Sequence, residues 1–155
     1  SKLMGLPQPA EPVKLFGTTG NDTIVGTTAA EKIWGVPETG THLGKGTVDR
    51  FIGGGGADIF VFGDARGRFY DDGSGRNAGT SDYAVIQGWD SDDRIQLAGT
   101  RSAYFQKAVT VGSDSGMGIY HDSNGNGRLD NKDELIGVVK DVTEPVSWTA
   151  FDFVS

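Results

Sequence analysis

Asp22, Asp49 and Asp58 hold the same place in a recurring nine-residue unit, the sixth position counted from its first glycine. Gly17, Gly26, Gly35, Gly44 and Gly53 follow one another at intervals of nine. The last unit, Gly53-Gly54-Gly55-Gly56-Ala57-Asp58-Ile59-Phe60-Val61, fits G-G-x-G-x-D-x-U-x throughout, U being large and apolar. The first, Gly17 to Val25, departs only at its second position, and the fourth, Gly44 to Ile52, has Thr47 where a glycine belongs. The second, Gly26 to Trp34, carries Glu31 in the acid slot. The third, Gly35 to Leu43, has Gly40 and His42 in the acid and apolar slots and is degenerate. An aspartate offers a hard anionic oxygen, and glycines at positive φ let turn carbonyls approach a cation closely. All-oxygen donor sets of this kind suit Ca2+.

Such turns need elements to hold them. Six residues of each unit read as turn and three as a short strand whose middle side chain points inward, so Ile24, Ile33, Phe51 and Phe60 should stack as a core ladder. The unit resembles the repeat of a parallel β-roll, and that resemblance implies turns alternating between two sides, with neighbouring turns 18 residues apart, two units of nine. On that register Asp49 lies against the turn of Glu31 and, on its other side, a stretch from Phe62 in which Asp64 closes a site. Asp58 lies between the turn of Gly40 and the stretch with Asp72, and Asp22 faces the degenerate third turn. Roughly two to three sites are expected, the best at Asp49 and Asp58.

The nonapeptide resembles the RTX, or hemolysin-type, calcium-binding repeat of secreted bacterial proteins. That resemblance implies an all-β chain: a linker over 1–16, a short parallel β-roll over 17–63, and a C-terminal antiparallel β cap over 64–155. Within the cap, Asp82-Tyr83-Ala84-Val85-Ile86-Gln87-Gly88-Trp89 and Ile95-Gln96-Leu97 resemble the continuation after the last repeat in serralysin-type C-terminal domains, and Asp64 and Asp82 would add calcium ligands there. Further strands are expected at Ala108–Val111, Gly118–Tyr120 and Leu135–Val139 from β-branched alternation between glycines.

A second, different calcium candidate runs from Asp122 to Asp133. Asp122, Asn124, Asn126, Arg128 through its carbonyl, Asp130 and Asp133 fall at EF-hand-like spacing, with Gly127 at the bend and aspartate instead of glutamate in the last position. The flanks read as strands, so the loop is expected on a hairpin.

Composition narrows the function. Asp and Glu total 21 against 14 Lys and Arg, a net charge of -7. An acidic chain suits cations and argues against nucleic-acid partners and anionic membranes. No apolar run approaches a membrane span, so membrane insertion is not expected. Cysteine is absent, which excludes thiol catalysis and disulfide staples. Two histidines with no triad partner leave no catalytic constellation, and a catalytic role is not expected. His42 reads as a buried or loop histidine.

The chain opens on Ser1 and a proline-rich leader, Leu6 to Pro12, which suggests a linker from a longer protein. The resemblance implies secretion to the extracellular space or cell surface by a type I secretion apparatus, with Phe151-Asp152-Phe153-Val154-Ser155 as an export signal that also reads as a last strand. It implies a module that folds on binding Ca2+ outside the cell, an appendage to a larger protein. The alternative is a calcium-dependent module for extracellular polysaccharide or a cell surface. There Lys45, Arg50, Arg66, Arg68 and Arg76 would form a basic groove, with Trp34, Tyr70 or Trp89 stacking on sugar.

Overall fold

A computed structural model describes residues 12–71, 82–122, 125–128 and 133–155. The described chain is all-β. In order it forms β1 (Val13–Phe16), β2 (Thr23–Val25), β3 (Glu31–Trp34), β4 (Val48–Ile52), β5 (Ile59–Val61), β6 (Gly63–Asp64) and β7 (Gly67–Arg68). Then come β8 (Tyr83–Gln87), β9 (Arg94–Ala98), β10 (Tyr104–Val111), β11 (Asp114–His121), β12 (Glu134–Lys140) and β13 (Phe151–Val154).

Two large sheets result. One runs β1-β3-β5-β9-β13, with every neighbouring pair parallel. The other runs β10-β11-β12-β8-β4-β2. It is parallel from β2 to β12 and antiparallel from β12 to β10. Apart from the small β6–β7 hairpin, strands from β1 to β9 alternate between the two sheets. A three-residue strand bounded by tight turns cannot bury itself, so each rung depends on the rungs beside it.

The expected ladder is present and longer than the repeats. In one sheet the register aligns Leu15, Ile33, Phe60, Ile95 and Phe151. In the other it aligns Ile24, Phe51, Ile86 and Val139. The two columns meet in one core, where the Phe51 and Phe60 rings stack at 6.0 Å. Alternation on β8, and a bulge in β12 opposite Ile119 and Tyr120, put Tyr83, Val85, Leu135 and Val138 into a second apolar cluster on the opposite face.

The register departs from the expected 18 residues. Only β1 and β3 keep that offset, pairing Val13 with Glu31. From there Thr23 pairs with Arg50 and Ile33 with Phe60, an offset of 27. The third unit forms no strand and is left in the loop between β3 and β4. With His42 in its apolar slot it has nothing to add to the ladder. Asp22 therefore lies beside Asp49, and Glu31 beside Asp58. The Asp49–Glu31 and Asp58–Gly40 neighbours expected from a uniform period are corrected accordingly. Gly17 at the head of the Asp22 turn does lie against Gly35, where the third unit begins, but Asp22 itself meets Asp49.

Parallel pairing also continues past residue 63. Phe51 pairs with Ile86 and Phe60 with Ile95, an offset of 35. The strands expected at 108–111, 118–120 and 135–139 lie within β10, β11 and β12. Residues 151–154 form β13, which closes the first sheet against β9.

Candidate metal centre

Two stacks of turns flank the sheets. The first stack lies where the chain leaves the second sheet for the first. It holds Gly26–Glu31, Gly53–Asp58 and Gly88–Asp93, each six residues long. Backbone amides tie them in sequence: Glu31 N–H donates to Asp58 Oδ1 at 3.0 Å, and Asp58 N–H donates to Asp93 Oδ1 at 2.9 Å.

The carboxylates in this stack differ in how they are satisfied. Glu31 Oε2 accepts from the Thr27 amide at 2.9 Å and from the Thr27 hydroxyl. Asp93 Oδ2 accepts from the Asp90 amide at 2.9 Å. Asp58 has Gly54 where the second turn has Thr27, and its Oδ2 is buried with no hydrogen-bond partner. Glu31 Oε1 is in the same condition. Leaving a buried carboxylate oxygen unmatched is costly unless a cation answers it.

Backbone oxygens close in on the same place. A Cβ at Gly54 would lie 2.6 Å from the Thr27 carbonyl oxygen, and one at Gly56 2.6 Å from that of Ala29. A Cβ at Gly26 would meet Glu31 Oε1 and the Gly53 carbonyl oxygen, each at 2.6 Å, and one at Gly53 would meet Asp58 Oδ2 at 2.7 Å. Gly54 and Gly56 adopt φ of +73° and +77°, where a side chain is strained in any case. These glycines are the condition for two oxygen-rich turns to touch. Among the described residues no three histidine or carboxylate side chains converge to hold a metal by themselves. A cation here would draw largely on carbonyls, with Asp58 Oδ2 and Glu31 Oε1 as its anionic donors. Hard oxygen donors of this kind fit Ca2+.

The electrostatics agree. Burial pushes the Asp58 carboxyl up to about 7 against the Glu31 amide hydrogen bond; a proton that protonated Asp58 shares with the Glu31 carboxylate, and the charges of Asp93 and Glu31, add to the rise. Burial also raises Asp93. At Glu31 burial acts upward too, but the Thr27 hydroxyl and amide outweigh it and hold the group below its ordinary value.

The second stack lies on the other side and is irregular. Asp22 accepts from the Thr18 amide and hydroxyl at 2.8 and 2.9 Å, and its own N–H donates to Asp49 Oδ1 at 2.7 Å. Asp49 is fully buried, and its Oδ2 accepts from the Tyr70 hydroxyl at 2.6 Å. Burial raises Asp49 to about 6 even with those two bonds holding it down.

Asp64 lies apart from both stacks. It is paired with Arg66 at 2.8 Å and accepts from Trp34 Nε1 at 3.2 Å, and that pairing overcomes burial and lowers its pKa. Asp82 is fully buried and accepts from the Gly46 amide at 3.0 Å.

The Asp122–Asp133 loop joins β11 to β12, so it does sit on a hairpin. Gly125 and Gly127 adopt positive φ, and the Gly127 amide donates to Asp122 Oδ2 at 2.8 Å. Asn126 Oδ1 accepts from the Arg128 amide at 2.9 Å, and Asp133 is buried. Asn124 and Asp130 lie outside the described residues, as do Asp72 and Arg76.

The residues expected to meet a sugar are otherwise engaged. Trp34 is stacked on Phe16 at 4.6 Å and Tyr70 is fully buried, while Trp89 is half-buried. Arg50 pairs with Asp114, Arg66 with Asp64 and Arg68 with Asp71.

Sequence reasoning did not assign Asp93 to the site, and it read Tyr70 as a sugar-stacking aromatic. Gly88, Asp93 and Ile95 keep the first, sixth and eighth positions of the repeat, but Gly88 follows Gly53 by 35, one short of four units. A search tolerant of that slip would have found the unit. Tyr70 carries no motif and comes into play only through the loop that delivers it. Compared with known proteins, the sequence matches no protein-family model and no curated protein.

Proposed function

We propose that this chain is a calcium-binding module of the RTX type, a short parallel β-roll whose turns take up Ca2+ and which folds on calcium binding after type I secretion. In this reading it serves as the folding and secretion appendage of a larger extracellular protein and has no catalytic role of its own. The observation that carries the proposal is the pair of turns Gly26–Glu31 and Gly53–Asp58. There Asp58 Oδ2 and Glu31 Oε1 are buried without a hydrogen-bond donor, and glycines bring the carbonyls of Thr27 and Ala29 against the next turn.

Bound calcium would supply positive charge between the two turns. The chain's own residues do the rest. Glu31 and Asp58 amides fix the spacing of the stack. Gly54 and Gly56 allow contact, and Phe51 and Phe60 hold the two sheets together beneath it. Ligand that binds only the folded form stabilises it by mass action, and scarce calcium leaves a chain of short rungs and crowded carboxylates with little to hold it. The rival reading, a calcium-dependent polysaccharide-binding module, has less to draw on, since Arg50, Arg66 and Arg68 are paired with acids.

Calcium calorimetry, with circular dichroism in chelator and in millimolar calcium, tests the proposal. Saturable calcium uptake with a gain of β signal and of stability is expected. A chain that takes up no calcium, or is equally folded and stable in chelator, overturns it.

A further inference from the structure

We propose that Tyr70 does the work of a cation in the second stack of turns, so that Asp49 is satisfied by a phenolic hydroxyl and that side of the molecule is cross-linked without metal. The inference rests on the calcium reading above and divides the two sides of the fold.

The two stacks can be compared at one place. In two turns of the first, the opening glycine faces the acid that ends the turn, Gly26 over Glu31 and Gly53 over Asp58, and the outward carboxylate oxygen has no hydrogen-bond partner. In the second, Gly17 faces Asp22 in the same way, with Asp22 Oδ2 2.7 Å from where its Cβ would be. The next turn down opens at Gly35, because Phe16 pairs with Trp34, and ends at Asp49. A Cβ on Gly35 would lie 2.5 Å from Asp49 Oδ2 and would also collide with the Tyr70 hydroxyl. The phenol oxygen thus sits against the outward oxygen of the acid, where the first stack offers only oxygen acceptors. It donates to Asp49 Oδ2 at 2.6 Å, and both residues are fully buried.

Tyr70 is held there by its surroundings. Its ring lies against Gly44, where a Cβ would come within 2.5 Å of Cε1, and it meets the rings of Phe62 and Phe69 edge-on. Its amide donates to the Leu43 carbonyl at 2.8 Å, and its backbone adopts φ of +58°, unusual for an aromatic residue. The nine extra residues between Gly35 and Asp49 make room for the ring. A hydroxyl gives the carboxylate one directed hydrogen bond, and with the Asp22 amide on Oδ1 the acid has a donor on each oxygen. Neither oxygen is left without a donor, so the acid is satisfied without an ion.

The test is calcium calorimetry on the full chain, Asp49→Asn and Tyr70→Phe, with folding checked by circular dichroism in calcium. Asp49→Asn should take up as many calcium ions as the parent chain, because the amide oxygen still accepts from the Asp22 N–H and the amide NH2 can donate to the Tyr70 hydroxyl oxygen. Tyr70→Phe should take up one more, because it removes the only donor on Asp49 Oδ2. Loss of an ion in Asp49→Asn, or an unchanged count in folded Tyr70→Phe, overturns the proposal and leaves the calcium reading standing. If Tyr70→Phe does not fold, Asp49→Asn decides alone. A parent chain that takes up no calcium overturns both.

Discussion

Replacing Asp58 by asparagine should stabilise the metal-free chain and remove the stability that calcium adds. Asp58 is 1% exposed and its carboxyl sits at about 7 in the fold, against an ordinary value of 3.8. The folded chain therefore holds a proton that the unfolded chain has released. The contribution of this group to the stability of the metal-free form is greatest below about pH 4 and falls as pH rises towards 7. By pH 7.5 the buried group withdraws on the order of 4 kcal/mol, and at pH 5 about 2. Asparagine keeps the acceptor for the Glu31 amide and removes the charge, so in chelator the variant should gain up to those amounts, more at pH 7.5 than at pH 5. In calcium it loses an anionic donor. At a calcium concentration a hundredfold above the dissociation constant, the parent gains about 2.7 kcal/mol that the variant lacks. Guanidinium unfolding followed by circular dichroism, in chelator and in calcium at both pH values, reads all four numbers. Equal destabilisation with and without calcium would refute the reasoning, since Asp58 would then be an ordinary structural hydrogen-bonding group.

Gly54→Ala forces a Cβ to within 2.6 Å of the Thr27 carbonyl at a φ of +73°. It should cost about 2 kcal/mol or more of stability in calcium and weaken calcium uptake, as read by thermal melting and calorimetry. Phe60→Ala removes a fully buried ring from the junction of the two sheets. A loss of about 3–5 kcal/mol is expected in calcium, and a loss under about 1 would show that the ladder is not the core. Asp122→Ala should lower the calcium count by one while leaving the melting of the sheets in chelator little changed, and an unchanged count would remove the hairpin loop from the set of sites.

Much of the fold could be read from residue types. The glycine period marked the turns, and Ile24, Ile33, Phe51 and Phe60 marked the interior, because a three-residue rung has only one side chain to bury. The register could not be read the same way. A period of nine in the sequence describes a chain in which every unit contributes a strand, and His42 shows where that fails. An interior slot filled by a polar ring drops its unit from the stack and lengthens by nine the register of the pairs that span it, Ile24 with Phe51 and Ile33 with Phe60. The slip before Gly88 hid Asp93 for a similar reason, because the loop between β5 and β8 follows no period. At the candidate site, Asp58 was legible and its distinction from Asp22 was not. That distinction depends on Thr18 and Thr27 capping their own acids while Gly54 cannot. Tyr70 was read as a sugar-stacking aromatic, and burial puts it to another use.

The lengthening register also sets an order in time. Partner strands lie 18 residues apart at β1 and β3, 27 at the next rungs, 35 at β8 and β9, and 56 between Ile95 and Phe151. Closing the last of these loops costs about 1 kcal/mol more chain entropy than closing the first. That cost is met only when all the intervening rungs are in place to reward it. Among the parallel rungs, assembly is therefore expected to run from the short-range pairs outward, beside the still more local β10–β11–β12 hairpins. The turns that carry Glu31 and Asp58 belong to the earlier of these parallel rungs, so a cation captured there would act before β13 docks.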